Sequence, residues 1–199
     1  MVNLVGPFFF EGAMGLSPSQ VGLVFLIAPV IMAIASPIMG WLYDRRPSEY
    51  YSVVGIGLTG IALFALSLTV MGRDISLIIL SFVPMALGSA LFQSPNNTEI
   101  MRALPPGKLG VASSLSATVR NLGITLGVSF ASIFLSFQLQ AAGYSGPVIG
   151  AEPVLLSRVI AVILAVGGVF CMAGIIICLW GNAERRKHST TDKKLKIDQ

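Results

Sequence analysis

Apolar residues run nearly unbroken through five blocks of this chain, about residues 20–42, 52–71, 77–96, 109–138 and 155–180, separated by short stretches rich in Pro, Gly, Ser and charge. Each block reaches the roughly 20 residues that carry a helix across the hydrocarbon of a bilayer, so the pattern predicts five transmembrane helices. A further apolar run, Leu4-Val5-Gly6-Pro7-Phe8-Phe9-Phe10, is too short to span, and no basic residue precedes it as one would in a signal peptide. Residues 1–13 are expected to be the tail end of a spanning helix that begins upstream. Glu11 closes that run, and Gly15-Leu16-Ser17-Pro18-Ser19 supplies a turn and a helix start signal.

Polar positions inside the blocks are few and periodic. Ser89, Gln93, Asn96 and Asn97 recur three and four residues apart beside Pro95, which places them on one helical face. An amide without a partner in hydrocarbon costs about 2–7 kcal/mol, so this face must meet protein, a water-filled cavity or a polar ligand. The next block repeats the arrangement with Ser114, Thr118, Asn121 and Thr125. Arg120 stands one position to the side, and Gly123 and Gly127 make a small face for close helix packing. Both stripes are open to two readings: helix-to-helix glue, or the lining of a functional cavity. Blocks containing Pro29, Pro37, Pro84, Pro95 or Arg120 are expected beside such a cavity, whereas the plain second and fifth blocks are expected on the lipid side.

Composition agrees with a membrane protein. Of 199 residues 54% are hydrophobic and 11% charged, and mean hydropathy is +0.82, too apolar for a soluble domain. The net charge of +4 resides mostly in residues 181–199, read as a basic cytoplasmic tail without fixed structure. There Arg185, Arg186, Lys187, Lys193, Lys194 and Lys196 face Glu184, Asp192 and Asp198, a balance that suits an anionic membrane surface better than nucleic acid. Arg45 and Arg46, then Arg102 and Lys108, then the tail follow the first, third and fifth spans. The intervening connections carry only Arg73 and, at the mouth of the last helix, Arg158. The positive-inside rule thus assigns the Arg45 loop, the Pro105 loop and the C-terminus to the cytoplasm.

Several apparent motifs are decoys. Gly55-Ile56-Gly57-Leu58-Thr59-Gly60 matches the dinucleotide fingerprint, but it lies within a continuous apolar span with no preceding strand, so its glycines are expected to admit a neighbouring helix. Asn96-Asn97-Thr98 matches a glycosylation acceptor at what the charge pattern makes the cytoplasmic side. Cys171 and Cys178 lie about 10 Å apart along one helix, beyond disulfide reach, and read as packing thiols. His188 stands alone in the tail. Neither a metal nor a cofactor is expected, and no paired carboxylates, histidine cluster or activated nucleophile point to an enzyme.

Gly40-Trp41-Leu42-Tyr43-Asp44-Arg45-Arg46 resembles the Gly-x-Leu-x-Asp-Arg signature of major facilitator transporters, with the later glycine and basic residues replaced by Pro47, Ser48 and Glu49. Gly15 to Gly22, Phe92-Gln93-Ser94-Pro95-Asn96-Asn97, and Gly110 through Arg120-Asn121-Leu122-Gly123 to Val128 extend the likeness. Together they resemble the C-terminal half of fourteen-span drug/proton antiporters of the EmrB/QacA type. The resemblance implies an all-α membrane protein, the C-terminal six-helix bundle of a major-facilitator fold with its first helix partial and its N-terminal half missing. It further implies export of lipophilic or cationic drugs in exchange for protons, from a bundle embedded in the cell membrane. Gln93, Asn96, Asn97 and Asn121 become candidate cavity contacts, with Met32 and Met85 as soft apolar ones. Gly40, Asp44, Arg45 and Arg120 become candidates for a latch or gate. Arg120 lies about 18 Å from Lys108 and about 27 Å from Gln138 along the helix, near the cytoplasmic boundary, where a structural role is slightly favoured. No full span holds an interior carboxylate, so Glu11 is the candidate protonation site and the main coupling acids are expected in the missing half. The alternative is a half that does not transport: a remnant, or an assembly or regulatory subunit.

Overall fold

A computed structural model describes residues 2–46, 48, 50–102, 105–144 and 146–197. Helix α1 (Val2–Phe8) runs into a π-helical turn, Phe9–Ala13; then come α2 (Pro18–Arg45), α3 (Tyr50–Gly72), α4 (Ile75–Arg102), α5 (Leu109–Ala141) and α6 (Pro153–Ile197). Among the described residues there is no strand. Five helices are long and apolar enough to cross a membrane, the last of them over Pro153–Gly181, and the protein is an all-α membrane protein.

The elements start where local chemistry puts them. Ser17 caps α2 reciprocally: the Gln20 N–H donates to Ser17 Oγ at 3.4 Å, the Ser17 N–H donates to Gln20 Oε1 at 2.9 Å, and Pro18 takes the first helical position. Gly15 provides the left-handed residue (φ +68°) in the preceding turn. Asp74 caps α4 by accepting from the Ser76 N–H at 3.0 Å. Pro95 does not end α4. The helix continues to Arg102, and Pro95 is itself fully buried, as tolerated where neighbouring helices enclose the freed backbone. Beyond Gly181 no Gly or Pro interrupts the chain, and the backbone of α6 carries on helically to Ile197.

The short α1 is not peripheral. Val5, Phe9 and Phe10 are at most 2% exposed and form the core with Ile78 and Phe82 of α4 and Leu156, Ile160 and Ile163 of α6. A void of about 20 Å³ beside them is walled entirely by apolar side chains and glycine, so it offers water no partner.

Polarity does not sort the helices as expected. The plain α3 is the most enclosed span: 39% of its most apolar stretch is buried, against 17% for α2 and α5. Glycine explains it. A Cβ on Gly55 would stand 2.6 Å from the Phe92 nitrogen, and one on Gly88 would stand 2.7 Å from the Thr59 nitrogen, so α3 and α4 touch backbone to backbone. A Cβ on Gly60 would meet Cys171 of α6 at 3.1 Å. The apparent dinucleotide motif is a packing surface. Ser67 adds a polar tie, donating to the Ala161 carbonyl of α6 at 2.7 Å.

Candidate functional site

The polar stripe of α4 lies in the second half of that helix, half-buried at Gln93, Asn96 and Asn97. Ser89, at its upper end, is satisfied within its own helix, donating to the Met85 carbonyl at 2.9 Å. Gln93 and Asn96 have side chains with no hydrogen bond to the described residues, whereas Asn97 Oδ1 accepts from Arg120 Nη2 of α5 at 3.1 Å. The two helices that sequence periodicity singled out are therefore joined through the residues it singled out. Arg120 itself lies exposed on the surface of the bundle.

The stripe on α5 behaves differently. Ser114, Thr118, Asn121 and Thr125 are all exposed. Two of them need no outside partner, because Ser114 donates to the Val111 carbonyl at 3.0 Å and Thr118 to the Ser114 carbonyl at 2.9 Å. Asn121 keeps an amide with no such local acceptor, and its position one residue after Arg120 turns it about 100° away from Asn97.

At the same end of the bundle the Gly40–Arg46 run packs against the end of α4. A Cβ on Gly40 would meet Ser94 Oγ at 3.2 Å, which sets how closely α2 approaches. Asp44 Oδ1 pairs with Arg102 Nη2 at 3.2 Å, with the two side chains 64% and 59% exposed respectively. Arg45 turns instead onto its own helix, 4.0 Å above the Trp41 ring. The buried Tyr43 donates to Glu99 Oε1 at 3.0 Å. Tyr43, Glu99 and Arg102 thus join α2 to α4, a role that their separation of more than fifty residues concealed from any local pattern.

Glu11 is not part of this cluster. It lies half-buried in the π-helical turn beside the start of α2, at the opposite end of the bundle, about 33 Å of helix rise from the level of Asn97 as α4 runs from Ile75. Met85 packs against the core and Met32 is half-exposed. Cys171 and Cys178 are both free thiols, and no group of metal-ligating side chains occurs among the described residues.

The Major Facilitator Superfamily profile matches residues 1–128. The riboflavin transporter RibZ of Clostridioides difficile is 34% identical over 144 residues, covering 72% of this chain and 31% of that protein. The multidrug efflux pump LfrA of Mycolicibacterium smegmatis is 29% identical over 69% of this chain and 28% of its own length. The multidrug resistance protein Stp of Mycobacterium tuberculosis is 28% identical over 67% of this chain and 25% of its own. The chain therefore spans less than a third of each of these relatives. No solved structure matches it. A profile match over more than half its residues, and a transporter relative at 34% identity, mean that this chain belongs to the Major Facilitator Superfamily, whose members are transporters and not enzymes.

Proposed function

We propose that this chain forms one half of a secondary active efflux carrier, of the fourteen-span EmrB/QacA type, exporting lipophilic or cationic compounds in exchange for protons. The observation that carries the reading is the link from Arg120 to Asn97 beside the unengaged amides of Gln93 and Asn96. Amides left half-buried in a membrane bundle are costly unless something polar meets them, and a substrate or cavity water does so. Asn121 and the hydroxyls of α5 extend the wall, and the other wall is contributed by further helices of the carrier. The relatives named as multidrug pumps support the substrate class. In this reading Gly40, Asp44, Arg45 and Arg120 stabilise one access state at the cytoplasmic end. Glu11 is the candidate proton carrier at the opposite end, and the C-terminus lies in the cytoplasm of a cell in whose boundary membrane the carrier sits.

A second substrate reading follows from the relative named as a riboflavin transporter: a planar heteroaromatic ring edged with carbonyls and N–H groups pairs well with Gln and Asn amides. Transport into everted vesicles from the cells that carry the chain separates the two. Proton-driven uptake of a cationic dye, lost in Asn97→Ala and Arg120→Ala, supports drug efflux. Competition by riboflavin at equal concentration favours the flavin-like substrate. Uptake of neither, with the protein present at normal level, refutes both.

A further inference from the structure

At the end of the bundle opposite the Asp44–Arg102 pair, a cleft of about 250 Å³ is lined by Met71, Arg73, Val154, Ser157 and Arg158. It falls below the roughly 300–1,000 Å³ typical of pockets for drug-sized ligands, which suits a compact polar group. The connections and helix mouths at this end contribute two basic residues, Arg73 after α3 and Arg158 in the second turn of α6, and both face the same cleft. Arg73 adopts φ +53°, the left-handed region that glycine enters at least cost, although Gly72 stands immediately before it. Among the described residues neither arginine is held in an ion pair. Asp74 is committed to capping α4 through the Ser76 and Leu77 N–H groups, Glu152 is exposed, and the ion pair found among the described residues is Arg102–Asp44. Ser157 is buried with its hydroxyl donated to the Pro153 carbonyl at 2.7 Å, so it closes the floor and leaves binding to the guanidinium groups. Met71 and Val154, 56% and 60% exposed, give the rim an apolar edge.

We infer that Arg73 and Arg158 form a binding site for a phosphate group, with the adjoining apolar rim fitted to an acyl or glycerol moiety, as in the headgroup of an anionic phospholipid. Guanidinium pairs are well matched to phosphate oxygens, and the cleft lies where α3 ends and α6 begins, at the ends of two membrane spans, near which lipid headgroups are expected. The site lies apart from the polar stripes of α4 and α5.

The test is native mass spectrometry of the purified chain from micelles containing equal phosphatidylglycerol and phosphatidylcholine. Retention should favour phosphatidylglycerol. The preference should fall about fivefold in Arg73→Gln or Arg158→Gln and about thirtyfold in the double variant, while Arg73→Lys/Arg158→Lys should retain much of it. Added glycerol 3-phosphate or inorganic phosphate distinguishes the source. If either displaces the lipid at millimolar concentration in the wild type alone, the site is a phosphate site served from solution; if neither does, the lipid is the ligand. An equal preference in wild type and the double Gln variant overturns the inference, as does complete loss in a Lys variant that remains helical.

Discussion

Helices α3 and α5 are both glycine-bearing apolar spans, yet their glycines meet opposite fates. Within α3, Gly55 lies against the α4 backbone and Gly60 against Cys171. On α5, a Cβ added to Gly110 or Gly123 would find nothing within 4 Å. The same residue type makes a locked crossing in one helix and an open face in the other. Since lipid tails are as apolar as leucine, α3 gains its hold from close van der Waals contact and not from burial as such. In our account α3 holds the fold together, while α5 presents its polar and small-residue faces to the rest of a carrier.

That comparison can be broken most severely at the crossing. Gly55→Val or Gly88→Val forces two backbones apart and should cost about 3 kcal/mol, read as a lowered midpoint in thermal unfolding of the detergent-solubilised protein. Gly123→Val should stay within about 0.5 kcal/mol of wild type in the same assay; a loss equal to that of Gly55→Val would mean that α5 is packed after all. Next in size, Ser67→Ala removes the tie from α3 to α6 and should cost about 1 kcal/mol. A double-mutant cycle on Asn97 and Arg120 should give a coupling no larger than about 1 kcal/mol, because the guanidinium is exposed. The smallest effect belongs to Asp44 and Arg102, whose coupling should be about 0.3 kcal/mol and should fade between low and molar salt.

How much of this is written in the sequence depends on whether the signal is local. Span positions follow from length and apolarity, and the Ser17–Gln20 cap from four adjacent residues. The glycines of Gly55–Gly60 could be recognised as packing residues because a fingerprint inside an apolar run has no strand or phosphate-binding turn to serve. What could not be read is pairing at a distance. Asp44 finds Arg102 and Tyr43 finds Glu99 across more than fifty residues, and no periodicity encodes which helix lies beside which. Ranking helices by polarity placed α3 on the outside for the same reason: the count of polar groups reports chemistry, whereas enclosure depends on which backbones can approach. Ser114 and Thr118 show the converse, since their hydroxyls satisfy themselves on their own helix and a polar stripe need not imply a polar partner.

The central claim is that the stripe of α5 faces an aqueous cavity, and thiol accessibility tests it most directly. With Cys171 and Cys178 replaced by serine, single cysteines are placed at Ser114, Thr118, Asn121 and Thr125 and, as the apolar counterpart, at Leu115, Val119, Leu122 and Leu126, then probed in native membranes with a charged thiol reagent. Our account predicts rapid labelling along the first set, slowed by a transported compound, and little along the second. Equal labelling of the two sets, or none on either, would contradict it.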